Sequence, residues 1–336
     1  RIMEDLDEAI TLLTGASARA DKAEISVEVA YGLRARANLL MGKWAAAASD
    51  AAKAYGTSAP YSVADVSQPT FYNATDNAWI WGIVVTTEDY LAKTGIVNWP
   101  SNLCSLTGMG YTTAASATDV AYRLINKNLW AKIPETDVRK GWWVDEDLHS
   151  PVLDNGLGED YAYYWANGMF NGGTFPSKFS PYTNVKFGPD NGTFADTDNA
   201  QDWPLMRVEE MKLIEAEALG RDNLATGKQK LEEFVRQYRD PSYTCTAGSL
   251  DAFIDEVWFQ RRVELWGEGF ALFDILRLKK PIIRQGANYP INSTFAEIAA
   301  EAPIMIYRIP EAETSVNSAI TEADNNPAAM APTPVN

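Results

Sequence analysis

The first 55 residues of this chain place their apolar side chains at helical spacing, and this pattern constrains the fold more than any other feature. Positions 2, 6, 10 and 13 hold Ile, Leu, Ile and Leu, which form one face of a helix that ends at Thr14-Gly15. Ser26 is a typical N-cap for a second helix, and Gly42 ends it. A third helix is predicted from Trp44 to Tyr55. The chain therefore begins as consecutive helices joined by short turns.

Small residues in this segment match part of a 34-residue helix–turn–helix repeat. Counted from Tyr31, the small positions of the tetratricopeptide pattern hold Ala35, Ala47 and Ala51, where closely crossing helices leave room for little more than a methyl group. The large positions of the pattern are not kept. The segment predicts a tetratricopeptide-like helical pair, with a generic helical hairpin as the alternative.

Residues 57–203 have a different character, because turn-forming residues are dense and periodic runs are short. Gly, Asn and Asp cluster at 154–158 and 167–173, while 79–85 predicts a strand and 119–130 predicts one short helix. Long loops in a compact protein are usually functional or disordered, and the many aromatic residues here favour packed, functional loops. We therefore expect a loop-rich insertion whose loops are packed and functional.

Helical periodicity returns after residue 204. Helices are predicted over 205–219 and 226–238, from the cap Ser249 onward, and over 270–278, and the Ala/Pro/Asn-rich tail is expected to wrap the surface or fray. The predicted fold class is mainly α. Its three parts are a helical scaffold at 1–56, the insertion at 57–203 and a second helical part with the tail at 204–336, which together form one composite domain.

Composition excludes several classes of function. Asp and Glu number 45 against 29 Lys and Arg, a formal net charge of −16, which argues against a nucleic-acid groove and against anionic lipid headgroups as the main partner. No apolar stretch approaches the ~18 residues of a membrane-spanning helix. The two cysteines, Cys104 and Cys245, allow either one disulfide bridge or two buried thiols.

Signatures of catalysis and of metal binding are missing from the sequence. The single histidine, His149, lies in a polar segment without a nucleophile motif, so we interpret it as an exposed loop residue. Zinc-type Cys/His spacing and phosphate-binding glycine loops are absent. Asp196-Thr197-Asp198 could contribute oxygens to calcium but lacks the calcium-loop signature, so no cofactor is expected. Carboxylate pairs for glycoside hydrolysis arise by chance among 45 acids, so they carry almost no signal, and no catalytic residues are predicted.

Aromatic residues outside periodic helices give the best candidate for a ligand site. Trp142-Trp143 and 161–165 lie among Gly, Asn and Asp. Flat rings stack on the apolar faces of sugars or on peptide side chains, while neighbouring amides bond hydroxyl groups. The alternative is that most of these rings fill gaps beneath the loops. The candidate ligand-binding residues are Trp143, Tyr163, Tyr164, Trp165, Asn155 and Asn167.

Arg261 and Glu264 are spaced as neighbours on a helix, beside its apolar face. A buried charged pair must be mutually satisfied, so we interpret them as a structural ion pair that fixes helix packing and not as a catalytic pair.

The run 253–277 resembles a signature of the SusD/RagB-like outer-membrane lipoproteins. It contains Arg261-x-x-Glu264-Leu265, then Glu268-Gly269, an aromatic residue and Asp274-x-x-Arg277. Four further blocks resemble the family in the same order, at 31–55, 137–139, 204–218 and 309–327. The segment 231–236 departs from the family pattern. Family members also carry a lipobox cysteine and a long region ahead of the point where this sequence begins.

This resemblance implies a cell-surface protein held on the outer membrane by an upstream lipid anchor. Such a protein would lie over a SusC-like TonB-dependent transporter and capture an oligosaccharide for import. The helical repeats would face the transporter, and the loop-rich part would face the ligand. A peptide in place of the glycan remains an alternative, as does a helical-repeat scaffold that binds only protein.

Overall fold

Helices dominate this protein, as the sequence predicts. The computed structural model describes residues 1–90, 92, 99–108, 122–169, 177–289 and 297–327. They belong to two compact units: the first comprises 1–125 and 129–268, and the second comprises 126–128 and the chain from Gly269 onward.

The three N-terminal helices occupy the predicted positions. They are α1 (Ile2–Leu13), α2 (Val27–Leu40) and α3 (Trp44–Tyr55), and Ser26 is the N-cap residue of α2. The small residues of the repeat pattern, Ala35, Ala47 and Ala51, are completely buried. Their burial confirms the interpretation that a methyl-sized side chain lets α2 and α3 pack closely.

Two antiparallel strands lie between the helical parts. Strand β1 (Trp79–Ile83) pairs with β2 (Trp203–Arg207), and Trp79 lies opposite Arg207. The predicted strand is confirmed, but the helix predicted from residue 205 is wrong at its start. Residues 203–207 form the strand that pairs with β1 instead, so the α-helix begins only at Val208.

The C-terminal helices of the first unit pack closely against one another. They are α9 (Val208–Asp222), α10 (Leu224–Tyr238) and α11 (Leu250–Glu264). The Ser249 hydroxyl accepts a hydrogen bond from the Ala252 amide and caps α11, as predicted. A Cβ atom built on Gly227 would lie 2.3 Å from the Gly220 Cα, so α9 and α10 cross where neither has a side chain.

The central segment contains more helix than its turn-forming residues suggest. The loops predicted at 154–158 and around 161–165 are instead α7 (Pro151–Leu157) and α8 (Glu159–Ala166). The Ser150 hydroxyl accepts from the Leu153 amide, Pro151 starts the helix, and two acids occupy the first turn of α8, all of which favour helix. These end signals outweigh the Asn and Gly that suggested a loop.

The remaining elements of the centre are short. They are α4 (Val63–Val66), α5 (Trp99–Leu103), α6 (Lys127–Trp130) and a 3₁₀ turn at Val138–Trp142. The helix predicted over 119–130 is wrong before Lys127, because the Ile125 amide donates to the Tyr182 carbonyl across an extended pair. Residues 119–121 lie outside the described residues.

A large aromatic core fills this centre. Trp79, Trp142, Trp143 and Trp165 are all completely buried within it, with Phe71 and Phe187 beside them. A second core joins α2 and α3 to α9 through alanines and methionines. The described residues of the loop-rich part are therefore densely packed around an aromatic core.

The second unit contains α12 (Ala271–Arg277), the short ladder β3 (Ile282–Ile283) with β4 (Glu297–Ile298), and α13 (Glu311–Thr314). Helix α12 confirms the prediction over 270–278. Among the described residues, no helix is both long and apolar enough to cross a bilayer.

Candidate functional site

Helix α8 presents three tyrosines to solvent. Tyr161 and Tyr163 are 57% exposed and Tyr164 is 48% exposed, whereas Ala162, Trp165 and Ala166 are buried. Residues three and four apart share one side of a helix, so the buried residues fix this short helix in the core while the tyrosines point outward. We call Tyr161, Tyr163 and Tyr164 the tyrosine face.

Two rings of the tyrosine face are held in a defined arrangement. The Tyr163 and Tyr164 ring centroids lie 5.8 Å apart, with an angle of 72° between the ring planes. In this arrangement the edge of one ring meets the face of the other, a favoured aromatic contact that orients both. The remaining ring surfaces face solvent and can stack on a ligand.

The end of α8 completes this surface. The Asn167 amide side chain donates to the Tyr163 carbonyl at 3.0 Å, and Gly168 has a positive φ of 66°. The Met169 amide then donates to the Tyr164 carbonyl at 2.8 Å, which closes a Schellman-type helix end. Met169 is 51% exposed and extends the apolar part of the surface.

Trp143 and Trp165 lie inside the protein, unlike the two tyrosines. Trp165 is 0% exposed, its indole nitrogen donates to the Ser105 carbonyl at 3.0 Å, and its ring centroid lies 4.3 Å from that of Phe194. Trp143 is 1% exposed and packs edge-on against Trp266. Buried rings have no face left for a ligand. This corrects the stacking role that the sequence suggested for both tryptophans.

The two candidate amides are placed differently. Asn167 follows the tyrosines at the end of α8, whereas Asn155 is exposed on α7 and donates its side-chain amide to the Ser67 carbonyl at 3.0 Å. The structure therefore brings together Tyr163, Tyr164 and Asn167. The candidate set predicted from the sequence omits Tyr161, which helical spacing from Tyr164 could have indicated, and Met169, which follows the end of α8.

A second feature is a cluster of charged side chains in the core. Each of these side chains is 3% exposed or less, and four are cationic and four acidic. We call this set the buried charge cluster: Asp137, Arg139, Lys186, Arg207, Glu209, Arg239, Glu264 and Glu268.

Glu264, the last residue of α11, lies at the centre of the buried charge cluster. Its carboxylate oxygens lie 2.7 and 2.9 Å from two nitrogens of Arg239, 3.3 Å from Arg139 and 3.5 Å from Arg207. Burial by itself would raise the pKa of Glu264, but these guanidinium groups outweigh burial and lower it.

The sequence predicts a structural ion pair between Arg261 and Glu264, but the ion-pair partners that the structure gives to Glu264 are three arginines from other segments. Arg261, one turn earlier in α11, is itself buried. The partners that the structure gives to Glu264 come from positions 139, 207 and 239, which helix spacing within α11 cannot indicate.

Lys186 lies at the other end of the buried charge cluster. Its ammonium donates to the Glu264 and Trp266 carbonyls at 2.9 Å each and to Glu268 at 2.7 Å. The rings of Phe71, Trp142 and Phe187 surround it, with centroids at 4.8, 5.0 and 4.8 Å. Burial lowers the pKa of Lys186 to about 8, although Glu268 and Glu264 oppose the shift. The opposite charges of the buried charge cluster thus pair with one another, so we interpret the cluster as a structural feature and not as a binding or catalytic site.

The remaining reactive residues are placed as follows. His149 is 58% exposed, with its Nε2 2.6 Å from the Asp154 carboxylate, which confirms an exposed loop histidine.

Cys104 and Cys245 are both free and buried, which rules out the disulfide alternative. Burial raises the pKa of Cys104 to about 12. Within the described ranges, no group of three or more His, Cys, Asp or Glu, the 196–198 loop included, is arranged to hold a metal ion.

Comparison with known proteins identifies related sequences and folds. The family model described as the SusD family matches residues 135–327. No curated protein matches the chain by sequence.

Several solved structures share the fold at low identity. A SusD-like carbohydrate binding protein from Bacteroides vulgatus ATCC 8482 is 21% identical with a TM-score of 0.68, and the match covers 97% of this chain and 65% of that one. A SusD superfamily protein from Bacteroides thetaiotaomicron VPI-5482 is 19% identical with a TM-score of 0.66 and the same coverage. A second protein from Bacteroides vulgatus ATCC 8482 is 23% identical with a TM-score of 0.65, covering 98% and 64%. This chain thus spans slightly less than two thirds of the length of these proteins.

Proposed function

Because this chain belongs to the SusD family, we propose that it is a carbohydrate-binding protein that captures an oligosaccharide on the tyrosine face and releases it chemically unchanged. The family match covers more than half of the chain. A solved structure that shares the fold is described as a SusD-like carbohydrate binding protein, which supports the ligand class.

The observation that carries this proposal is the exposure of Tyr163 and Tyr164 on a helix whose opposite side is buried. Exposed aromatic rings lose little conformational entropy on binding when the helix beneath them is already fixed. Each ring offers an apolar face to the C–H face of a pyranose, and the phenol hydroxyls and Asn167 offer hydrogen bonds to its hydroxyl groups. Capture by stacking requires no acid–base pair.

We further propose that the protein acts at the cell surface, held on the outer membrane by a lipid anchor upstream of this sequence. There it would deliver its ligand to a SusC-like TonB-dependent transporter. The support for this setting is family membership. A binding protein concentrates a scarce nutrient beside a transporter, and the transporter then carries it across the membrane.

Peptide capture is the main alternative, since aromatic rings also stack on peptide side chains. A helical-repeat scaffold that binds only protein is the other. The tyrosine face favours a small ligand over a pure scaffold, because a scaffold function would depend on the surfaces of α1 to α3 and not on Tyr163 and Tyr164.

The test is affinity electrophoresis of the purified chain in gels that contain soluble polysaccharides, followed by titration calorimetry with oligosaccharides and with peptides. We expect retardation by a glycan, and we expect Tyr163→Ala/Tyr164→Ala to abolish it. Tyr307→Ala is the matched control, because Tyr307 is 89% exposed and belongs to the other unit.

Three results would contradict the proposal. Retardation that persists in the double tyrosine variant would remove the tyrosine face as the site. Heat of binding with peptides alone would favour the peptide alternative. Release of sugar from a polysaccharide by the purified protein would identify an enzyme instead.

A further inference from the structure

Helix α12 exposes an apolar stripe. Leu272 is 41% exposed, Phe273 is 62% exposed and Leu276 is 38% exposed. Positions i, i+1 and i+4 fall within about 100° of one another around a helix, so these side chains share one side of it. Ile283, in the strand that follows, is 56% exposed. Large apolar side chains grouped in this way on a surface indicate an interaction site.

Positive charge is concentrated directly after this stripe. Residues 277–284 hold four cations and no acid, the densest run of positive charge in a chain of net charge −16. Arg277 is turned inward onto Asp274 at 2.8 Å. Lys279 is 66% exposed and lies 2.9 Å from Glu301, itself 59% exposed. An ion pair this exposed contributes little to stability, so another anion can replace Glu301 beside Lys279.

Lys279 also occupies an unusual backbone position. Its φ is +53°, and the Lys280 amide donates to the Ile275 carbonyl at 2.9 Å, so Lys279 is the left-handed residue of a Schellman-type end to α12. Glycine takes this position at no steric cost. A lysine here sacrifices stability, which suggests that its charge has a separate use.

We propose that this basic–apolar strip (Leu272, Phe273, Leu276, Lys279, Lys280 and Ile283) rests on a lipid surface that carries anionic headgroups. The apolar side chains would enter the boundary between headgroups and acyl chains, and the lysine ammonium groups would reach the headgroup phosphates. The strip would then set the orientation of the protein against the membrane. None of its residues belongs to the tyrosine face, so glycan capture and lipid contact are tested separately.

The strongly negative net charge of the whole chain does not prevent such contact. At physiological ionic strength, charges more than about 8 Å away are largely screened, so the charges beside the strip determine the interaction. They are the strip lysines and two exposed acids, Glu301 beside Lys279 and Glu297 opposite Ile283. The lysines therefore attract anionic headgroups locally, against the opposition of these two acids, even though lipid headgroups are not the main partner of the protein as a whole.

The test is flotation of the full chain with phosphatidylcholine vesicles, with and without phosphatidylglycerol, at physiological ionic strength. We expect binding to the anionic vesicles and much less to pure phosphatidylcholine. The double variant Lys279→Gly/Lys280→Gln should bind the anionic vesicles more weakly, by about fivefold for each cation removed. Phe273→Ser/Leu276→Ser should also lose binding.

Matched controls distinguish loss of binding from loss of folding. Lys132→Gln removes an exposed charge elsewhere, and Val316→Ser alters an 80% exposed apolar residue of the same unit, so both should bind like the parent chain. Lys279→Gly alone should melt at the same or a higher temperature while binding less. Weaker vesicle binding at an equal or higher melting temperature cannot come from unfolding.

Equal binding of strip variants and controls would overturn the proposal, and so would binding that ignores lipid charge or is absent altogether. If the strip variants instead abolish a concentration-dependent self-association in analytical ultracentrifugation, the strip contacts a second copy of the chain and the lipid proposal is wrong.

Discussion

Arg239 and Glu264 form a two-pronged ion pair in the interior of the protein. The Nε and Nη2 atoms of Arg239 lie 2.7 and 2.9 Å from the two carboxylate oxygens of Glu264, and neither side chain is exposed. Arg239 directly follows α10, and Glu264 ends α11. The pair therefore joins the ends of two helices, and Arg139 and Arg207 attach the central segment and β2 to the same carboxylate.

Removal of the Glu264 charge should destabilise the fold strongly. In Glu264→Gln the surrounding arginines lose their central anion in a site that water does not reach, a change that typically costs about 3–5 kcal/mol. Glu8→Gln, on the exposed side of α1, should stay within about 0.5 kcal/mol of the parent chain. Urea unfolding followed by circular dichroism measures both. A Glu264→Gln midpoint equal to that of the parent would contradict the central role of this residue.

Stability should also depend on the ionisation of Glu268. Burial by itself would raise the pKa of this carboxyl, but Arg207 and Lys186 outweigh burial and hold the folded-state pKa below the ordinary 4.5. A carboxylate with a lowered folded-state pKa contributes stability above pH 4.5 and loses it as the pH falls towards that lower value.

The measurable consequence is a pH-dependent effect of Glu268→Gln. The difference in unfolding free energy between this variant and the parent should be largest near neutral pH and should shrink as the pH falls below 4.5. Urea unfolding at a series of pH values provides the comparison. A difference that stays constant across the acid range would show that the Glu268 charge does not contribute in this way.

Truncation of two neighbouring aromatic residues of α8 should change the stability by very different amounts. Trp165→Ala removes a fully buried indole and its hydrogen bond to Ser105, so it should cost about 3–5 kcal/mol of unfolding free energy. Tyr164→Ala removes a half-exposed ring and should change that free energy by less than about 1 kcal/mol, as is usual for a surface substitution. Thermal melts test both variants. Equal destabilisation by the two would contradict the orientation of α8.

The crossing of α9 and α10 should not tolerate a side chain. In Gly227→Ala the new Cβ would lie 2.3 Å from the Gly220 Cα and 2.9 Å from the Ala216 carbonyl oxygen, so the helices must separate, at a cost of about 1–3 kcal/mol or more. Gly248→Ala is the control, because nothing lies within 4 Å of its Cβ position. Should both alanine variants melt together, the close helix contact would be disproved.

The two cysteines should behave as buried thiols. Cys104 is inaccessible, and burial raises its pKa to about 12, so it should react with iodoacetamide only after denaturation. Mass spectrometry should find both Cys104 and Cys245 alkylated in urea without prior reduction. An unreduced mass that lacks both adducts would indicate a disulfide bridge and contradict the structure.

Several features follow from local sequence alone. The ends of α1, α2, α3, α11 and α12 could be predicted because caps, terminating glycines and apolar spacing act within a few residues of the element that they define. The block at 253–277 likewise indicated the family. The start of α9 could not be placed, because only pairing with β1, more than 120 residues earlier, decides that 203–207 is a strand.

Interactions between residues close in sequence are enough to predict the mainly helical fold, the positions of most helices and the chemical type of the candidate site, a set of aromatic rings with amides nearby. The tertiary structure sets which of these rings face solvent: Tyr163 and Tyr164 are exposed, while Trp143 and Trp165 are buried. It also gave Glu264 its three arginine partners, which lie 125, 57 and 25 positions away. The physical reason is range: helix propensity depends on near neighbours in sequence, whereas burial and charge pairing depend on residues that only the folded chain brings together.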